Sequence, residues 1–472
     1  MATESKRQKL EEASESKNTL IESISQKLNL HTTYPTQVAI KSVRVEEISS
    51  INPVQNANFV SFHVKSHGEE LILPDECFIK IEFKVVDKSD NSALPPNVDL
   101  CLVRSIISAM MKNLLLKLNS KVVQSSDGLH GFRADLEKMI LNTLEARKNF
   151  DLGEFYEEEE GKFENIPVVL SGNPPTEPTT IGGKEIVKRR NKIVGGKTLY
   201  VYDKIHADLF MQERPFPPNT DFDLTYDIQD NSDFYFLSKT PGNSQKFKIQ
   251  IERASIFVTY LGVDLNIINE MYSITVDERL HYHLPFRRIE MNYFNKPQNL
   301  SDLSEPNTIV KEGNVLPRRI FVVLVKQSAF QGNITQDPFN YVNLNPTTVA
   351  LRLNGQLKPY PEIKANRNND ADDVKEPLMF FRKACGVNMS KYLDLGITQK
   401  RYKEGGCFII GFDLTSGDSE DAFELLQRQT VELTYTLMSP TTEPHVMIVM
   451  TEYDAELQID ENRNVLKRDF AT

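Results

Sequence analysis

The chain has 472 residues, 40% of them hydrophobic and 26% charged, and its formal net charge is -11. This length exceeds what one hydrophobic core usually holds and predicts two domains of roughly 200 residues each. The acidic balance argues against a protein that neutralises many phosphates directly, although such a chain can still enclose nucleic acid.

The cysteines and the N-terminal segment further restrict the class of protein. The four cysteines are widely separated and form no CxxC pair: Cys77, Cys101, Cys385 and Cys407. This pattern argues against a disulfide framework and a zinc site, so we expect buried, reduced thiols. The charged start MATESKRQKLEEASESK does not resemble a signal peptide. The most apolar window, Leu100–Leu118, is interrupted by Arg104 and Lys112, so no membrane span is expected.

The first part of the chain changes from a polar tail to a strand pattern. Residues 1–30 are predicted to form a mobile N-terminal arm, since they contain few large apolar groups. From His31 the apolar residues alternate with polar ones, first at Ile40–Val45, then at Val60–Val64 and Ile79–Val85. A period of two predicts antiparallel strands with one buried face.

A helix is predicted after these strands. Leu129–Lys148 carries apolar residues at helical spacing, whereas Asp135, Glu137 and Lys138 face the other way. Two polar inserts follow, and both are predicted to be exposed loops. The first is the acidic run Glu154–Glu160. The second is Gly172–Gly196, which includes the basic residues of 188–192.

The boundary between the domains is predicted at residue 240. The first domain, 31–240, closes with strands around Phe222–Ile228 and Phe234–Leu237, and Lys239–Asn243 is the predicted linker. The second domain, 241–472, is predicted to begin with strands at Phe247–Ile251 and Ile256–Leu261.

Short apolar runs continue through the second half. Ile320–Val325 and Val349–Leu353 are predicted strands joined by a polar connection, and further strands are expected at Cys407–Leu414, Val431–Leu437 and Val446–Val449. The two halves share no repeat by sequence identity. The pattern predicts two β-sandwiches in series.

No constellation of residues predicts chemistry. Gly195–Thr198 ends like a phosphate-binding loop, but Asn191 stands where that motif needs a glycine. His281 and His283 share a strand face without a third ligand at a credible spacing. We therefore expect no enzyme activity, no cofactor and no metal, although paired carboxylates that meet only in the fold remain possible.

Several stretches, in order, resemble the major capsid protein of Polinton (Maverick) elements and adintoviruses. Those of the first half are Pro95–Val98, Ser105–Ile107, Leu116–Asn119, Gly131–Leu136, Ile205–Phe210, Gln212–Arg214 and Asp233–Leu237. Those of the second half are Leu316–Ile320, Ala329–Gly332, Asp337–Asn340, Gly411–Thr415, Glu456–Asp460 and Arg463–Val465. The resemblance extends from about residue 60 to the C-terminus; Tyr341 stands where an aromatic Phe is common.

The resemblance implies an all-β-dominated fold of two consecutive eight-stranded jelly rolls, with a few helices in the connecting loops. Its signature positions are Asp208, Leu209, Phe210, Pro317, Phe330, Gly332, Pro338, Phe339, Asn340 and Asp413. Among them, Phe330 and Phe339 are expected to anchor the connection between the two strands of Pro317–Gly355. Whether they pack within one chain or between chains is left open by the sequence.

The resemblance also implies a function in assembly. The chain would form homotrimers with a pseudo-hexameric outline, and these would tile an icosahedral shell around double-stranded DNA without sequence-specific binding. A single jelly-roll penton protein would be the partner at the vertices. The protein would be made in the cytoplasm, with assembly possible in the host nucleus, and located in the virion capsid.

Two other classes of function are open to a β-sandwich protein. A carbohydrate-binding or cell-surface protein would present exposed aromatic platforms, and the absence of Trp counts against it. A β-sandwich hydrolase would need a carboxylate pair, and the sequence singles none out.

Overall fold

The computed structural model describes residues 39–55, 57–96, 98–143, 181–305, 308–310, 314–358, 360–366, 373–386, 395–415 and 423–469. The arm predicted at residues 1–30 and the acidic run Glu154–Glu160 lie outside these ranges.

The described residues form twenty strands. They are β1 Ile40–Ser49, β2 Phe59–Val64, β3 Glu70–Asp87, β4 Cys101–Leu102, β5 Met111–Leu118, β6 Lys121–Ser125, β7 Leu199–Lys204, β8 Phe222–Ile228, β9 Phe236–Leu237, β10 Phe247–Val263, β11 Tyr282–Lys296, β12 Thr308–Val310, β13 Arg319–Lys326, β14 Pro346–Leu353, β15 Gln356–Leu357, β16 Ile363–Lys364, β17 Ile410–Asp413, β18 Val431–Leu437, β19 His445–Ile459 and β20 Val465–Asp469.

Helices occupy the connections between these strands. They are α1 Ile106–Met110, α2 His130–Leu141, α3 Ile181–Ile193, α4 Asn243–Lys246, α5 Leu265–Asp277, α6 Gln327–Gln331, α7 Lys375–Ala384 and α8 Gln399–Glu404, with 3-10 turns at Asp208–Met211 and Ser232–Phe234. No helix of the described ranges is long and apolar enough to cross a bilayer.

Each half of the chain is a sandwich of two antiparallel sheets. In the first half the sheets have the orders β1-β10-β3-β7 and β2-β8-β5-β6. In the second half the orders are β11-β19-β13-β17 and β12-β18-β14-β15, with β20 added beside β19 and β16 beside β14. If the eight sandwich strands of each half are counted in chain order, both halves follow 1-8-3-6 and 2-7-4-5. The chain is therefore a double jelly roll, and its duplication is visible in topology rather than in sequence.

The first jelly roll closes later than the sequence predicted. β10 follows the predicted linker, yet it lies between β1 and β3 and pairs with both, for example Ile256 with Ile48 and Ile79. The predicted boundary at residue 240 is therefore wrong by one long strand. Lys239–Asn243 is a tight turn within the first jelly roll, because the backbone N–H of Lys239 and the Asn243 amide both bond to Asp99.

Helix α5 joins the two jelly rolls. It begins after Asp264, whose side chain accepts a hydrogen bond from the Asn266 N–H at 2.9 Å and so caps the helix. Its buried Ile268 packs on Leu71 and Leu261 at the end of the first jelly roll. This helix is not among the elements that the sequence pattern predicted, and three of its apolar side chains are exposed: Leu265, Ile274 and Val276.

Two central strands of the second jelly roll are buried on both faces. In β13, all six residues of Ile320–Val325 are buried, and β19 is buried along most of its length. One face packs in the sandwich core, and α7 covers part of the other, where the Phe381 ring contacts that of Phe321. A strand buried on both faces is a continuous apolar run, which is how Ile320–Val325 was recognised in the sequence.

The predicted loop at Gly172–Gly196 is partly helical. Its described part contains α3, which reaches Ile193. Arg189 and Arg190 are buried, since their guanidinium groups donate to the carbonyl oxygens of Leu102 at 2.8 Å and Val98 at 3.1 Å. These two arginines therefore secure the first jelly roll instead of forming an exposed charged patch.

Candidate functional site: the buried junction of the two jelly rolls

Several of the stretches that carry the family resemblance meet between the two jelly rolls. Helix α2 contains Gly131–Leu136, and it packs against the segment Ile205–Phe210 and the connection that contains Ala329–Gly332 and Asp337–Asn340. We call this region the junction. It has three parts, and α2 contributes to each.

Helix α2 is buried on every side. All its residues from His130 to Ile140 are buried, including Arg133, Asp135, Glu137 and Lys138. The sequence pattern assigned Asp135, Glu137 and Lys138 to a face turned away from the apolar side, yet all three side chains are buried. Charged groups are tolerated in such a position when each has partners of opposite charge.

The first part is the His206 cluster, which lies within the first jelly roll. Its members are Arg133, Glu137, Lys138, Asp203, His206 and Asp208. Arg133 joins two carboxylates, with Nε 2.8 Å from Glu137 Oε1 and Nη2 2.7 Å from Asp208 Oδ1. Lys138 Nζ lies 2.5 Å from Asp203 Oδ2. The cluster ties α2 to the end of β7 and to the 3-10 turn that follows.

His206 lies between two carboxylates. Its Nδ1 is 2.6 Å from Glu137 Oε2 and its Nε2 is 3.3 Å from Asp203 Oδ1. A neutral imidazole has one N–H, so contacts of both ring nitrogens with carboxylates favour the imidazolium form. Burial acts to lower the pKa of His206, but Asp203 and Glu137 outweigh it and raise that pKa above its usual value.

The pKa values of the three carboxyl groups in this cluster shift in different directions. Burial acts to raise the pKa of Glu137, but Arg133 and His206 lower it to about 2. The pKa of Asp203 is lowered in the same way, against its burial, by Lys138 and His206. For Asp208, burial prevails over Arg133 and raises the pKa. With His206 protonated, the cluster contains three cations and three carboxylates.

The second part is the Asp135 cluster, which joins the two jelly rolls. Asp135 accepts hydrogen bonds from Ser105 Oγ at 2.6 Å and from the Tyr341 hydroxyl at 2.9 Å. Arg104 lies 3.4 Å from the same carboxylate and donates to the carbonyl oxygen of Phe339. Burial and the charge of Asp135 raise the pKa of Tyr341 well above its usual range, so the hydroxyl remains a donor. Two of these bonds, from Tyr341 to Asp135 and from Arg104 to Phe339, cross between the two jelly rolls.

The third part is an aromatic cluster formed by Phe132, Phe234, Tyr293, Phe330 and Phe339. The Phe132 ring stacks on Phe330, with centroids 5.3 Å apart, and meets Phe339 edge-on at 5.6 Å. Phe330 also contacts Tyr293 of β11 at 5.3 Å. Both aromatic residues of the connection therefore pack within one chain, which answers the question that the sequence left open.

The other signature positions lie around the junction or apart from it. Gly332 ends α6 with φ of 91°, and a Cβ at this position would lie 2.3 Å from the Asn231 amide, so only glycine fits. Asp337 Oδ1 accepts from the Phe339 N–H at 2.9 Å and holds the turn through Pro338 and Asn340. Asp208 bridges to the second jelly roll by accepting from the Ile289 N–H at 3.3 Å.

Four signature positions belong to the interior of one jelly roll. Leu209 and Phe210 are buried in the first, where Phe210 contacts Phe222 at 5.3 Å. In the second, Pro317 precedes β13 and Asp413 ends β17, where Asp413 Oδ1 accepts from Thr415 Oγ1 at 2.7 Å. The structure brings six of the ten positions to the junction and leaves these four outside it.

Sequence reasoning did not single out the charged members of the junction. Arg104, Arg133 and Glu137 have long polar side chains within otherwise apolar stretches, and this is the one signal that could have revealed them. Partners of other charged members lie far away in sequence, as Asp203 does for Lys138 and Tyr341 for Asp135, so only the fold pairs them.

The weaker candidate motifs have ordinary contacts. His281 and His283 lie beside Gln458 and Glu456, with Nδ1 contacts of 3.4 Å and 2.7 Å. No group of three or more potential metal ligands occurs among the described residues. Within the stretch that only ends like a phosphate-binding loop, Lys197 donates to the Asn191 carbonyl oxygen at 3.0 Å. Three of the four cysteines are buried, and Cys385 is partly exposed.

Comparison with known proteins was made at the level of sequence and of structure. No family model matches the chain. An uncharacterized Caenorhabditis elegans protein, F54H12.2, is 21% identical over 446 residues, which cover 91% of this chain and 98% of that protein.

Solved structures of viral proteins are similar over nearly the whole chain. A chain of the Sputnik virophage is 12% identical, with a TM-score of 0.59 and coverage of 95% of this chain and 93% of that one. VP54 of the virus PBCV-1 is 10% identical, with a TM-score of 0.55 and coverage of 93% and 99%. The Faustovirus major capsid protein is 9% identical, with a TM-score of 0.52 and coverage of 92% and 93%. At these identities the likeness shows the fold, and the chain has the double jelly-roll architecture of these viral proteins.

Proposed function

We propose that this chain is the structural major capsid protein of an icosahedral shell. The observation that carries the proposal is the duplicated jelly roll, whose two halves have the same strand order and are joined by a buried junction. The same architecture extends over nearly the full length of the Sputnik and Faustovirus chains. The motifs shared with Polinton and adintovirus capsid proteins support an origin in that group.

The function of such a protein is assembly. Three chains form a ring in which the first jelly roll of one chain contacts the second jelly roll of the next, and the heterologous contact closes at three. Because two similar sandwiches alternate around the ring, the trimer has a pseudo-hexagonal outline. We expect this interface to bury well above ~2,000 Å², as obligate interfaces do, and contacts between trimers to be smaller and more polar.

The junction supports this role because tiling requires a fixed angle between the two jelly rolls. Hydrogen bonds are directional, and those of the Asp135 cluster cross between the jelly rolls at a buried position. Contacts of this kind restrain both the distance and the rotation of one sandwich relative to the other. The shell would enclose double-stranded DNA without reading its sequence, as fits a net charge of -11. A single jelly-roll penton protein would complete the vertices.

Negative-stain microscopy of the purified full chain tests the proposal. We expect flat particles with a roughly hexagonal outline, or closed shells, and a trimer mass by native mass spectrometry. A monomer that persists at micromolar concentration, with no ordered particles under any assembly condition, would contradict it.

A further inference from the structure

A cleft of about 490 Å³ lies between the two jelly rolls, beside the junction. One wall is formed by Val122–Ser125 of β6 and the other by Arg288–Asn292 of β11. Both strands are last in their sheets, β6 in β2-β8-β5-β6 and β11 in β11-β19-β13-β17. The cleft is thus bordered by two sheet edges. Exposed edges of this kind accept an additional strand.

The free edge of β11 can be assigned from its hydrogen bonds. The Ile289 N–H donates to Asp208 and the His283 carbonyl oxygen accepts from Arg214, so odd-numbered residues point away from β19. The pairing with β19 continues without a bulge to Lys296, which places the N–H and C=O of Met291 and Tyr293 on the same free edge. Within the described ranges, no bond to either backbone occurs on that side.

The same strand blocks pairing outside the cleft. Pro285 also stands at an outward position and has no N–H to offer, a common device that protects an edge strand. Asp208 occupies the outward position at Ile289, since its N–H donates to Gln124 of β6 at 2.8 Å and its carboxylate accepts from the Ile289 N–H. The edge is therefore occupied at Ile289 and, among the described residues, open from Met291 onward.

A buried nitrogen beside the cleft has no partner. His130 lines the cleft and is 3% exposed, and its Nδ1 forms no hydrogen bond among the described residues. Burial and the nearby Arg133 lower the pKa of His130 to about 3, so the ring is neutral and Nδ1 can form one bond with an uncharged group. Buried polar groups of this kind usually have a partner.

The charges that line the cleft are already matched. Arg133 contacts Glu137 and Asp208, and Arg288 Nη2 lies 2.9 Å from Glu290. Neither Arg133 nor Arg288 therefore offers an anion an uncompensated positive charge. What the cleft offers is backbone N–H and C=O groups, flanked by the half-exposed side chains of Val122 and Tyr293.

We propose that this cleft binds an extended peptide segment of a partner protein, which pairs with β11 at Met291–Tyr293 and presents apolar side chains at alternate positions. The partner's backbone would supply the bond that His130 lacks. The proposal does not depend on shell assembly, since the cleft is complete within one chain.

Panning of the full chain against a phage-displayed library of twelve-residue peptides tests this inference. We expect selected peptides with alternating apolar residues that slow hydrogen exchange of residues 290–295. N-methylation of the peptide at alternate residues should weaken binding at least about tenfold, because it removes backbone donors.

Two variants separate backbone pairing from side-chain contact. Tyr293→Pro removes the outward N–H, at a type of position that this strand already tolerates at Pro285, whereas Tyr293→Ala keeps the N–H and removes the ring. We expect a loss of about tenfold or more for Tyr293→Pro and about threefold or less for Tyr293→Ala, with equal thermal unfolding midpoints. Equal losses in the two variants, or no peptide that requires the edge, would overturn the proposal.

Discussion

Helix α2 takes part in two buried ionic clusters that differ in what they join. The His206 cluster connects α2 to Asp203 and Asp208, all within the first jelly roll. The Asp135 cluster connects α2 to Tyr341 and the Phe339 carbonyl oxygen, which belong to the second. One helix face therefore stabilises a domain, and the neighbouring face orients two domains.

The difference in composition follows this division of roles. The His206 cluster has full charges on both sides, and such pairs are costly to bury unless every partner is present. The Asp135 cluster has one ion pair, but it adds two hydroxyl donors, Ser105 and Tyr341, and lies beside the rings of Phe132 and Phe339. We infer that loss of the first cluster unfolds a domain, whereas loss of the second loosens the angle between domains.

Arg133→Ala is expected to have the largest effect. It removes the partner that Glu137 and Asp208 share, and breaking a buried pair costs about 5 kcal/mol at the upper end. Hydrogen exchange should accelerate first in β5 and β8 of the first jelly roll, and urea unfolding should shift to lower concentration.

Lys41→Ala is the matched control for this loss of a cation. Lys41 pairs with Asp264 at 2.9 Å, but its side chain is 58% exposed, so a change of about 0–1 kcal/mol is expected. If the two variants were equally stable, the His206 cluster would contribute nothing beyond a surface ion pair.

Phe339→Ala should lower stability by about 3 kcal/mol, because it leaves a cavity beside Phe132 and Phe234. Its effect is expected at the contact between domains, so hydrogen exchange should rise in α2 and α6 while β13 and β19 stay protected. The oligomeric state by native mass spectrometry provides a second measurement. A variant that loses the trimer but unfolds at the wild-type midpoint would instead place this ring at an interface between chains.

Tyr341→Phe is a smaller change at the same contact. It removes the hydroxyl that donates to Asp135 and keeps the ring, so a loss of about 1–2 kcal/mol is expected. Ser105→Ala removes the other hydroxyl donor to this carboxylate and serves as its counterpart within the first jelly roll. Only Tyr341→Phe should alter hydrogen exchange in the segment around Phe339. If both variants changed it equally, the Tyr341 hydroxyl would have no specific role in orienting the domains.

Much of the fold could be predicted because strand burial is local in sequence. Val60–Val64 and Val431–Leu437 alternate as half-buried strands do, and both lie in strands with one covered face. The domain boundary was wrong for a physical reason. The turn residues at Lys239–Asn243 indicate a break in regular structure, but they do not show whether the next strand returns to the same sheet, as β10 does.

The junction was less accessible to prediction. The sequence pointed to Phe330 and Phe339, and both contribute to the aromatic cluster. The ionic partners depend on the fold: His206 and Glu137 lie 69 residues apart, and Tyr341 and Asp135 lie 206 apart. Amphipathic periodicity places the charged residues of a helix in solvent. Helix α2 is buried on all sides, so this pattern could not predict that its charged residues are buried.

The pH dependence of the unfolding free energy tests whether His206 is charged in the folded chain. Since its folded pKa is raised, the folded chain binds a proton that the unfolded chain releases between the two pKa values. The stabilisation is fully present below the unfolded value of about 6.5 and is lost as pH rises through the folded value, with a slope of at most about 1.4 kcal/mol per pH unit. The groups that face the ring are Arg133, Glu137, Lys138 and Asp203.

The measurement is the difference in unfolding free energy between the wild type and His206→Gln from pH 6 to pH 9. It should be largest near pH 6 and shrink as the pH increases. His130→Gln is a control of opposite sign, because the pKa of His130 is lowered to about 3 in the folded chain while the unfolded ring titrates near about 6.5, so its difference should be smallest near pH 6 and level off as the pH increases. A difference for His206→Gln that instead grows with pH, as expected for His130→Gln, would mean that the ring is neutral in the folded chain, and the charge balance of the cluster would then have to come from a protonated carboxyl group such as Asp208, whose pKa is raised by burial.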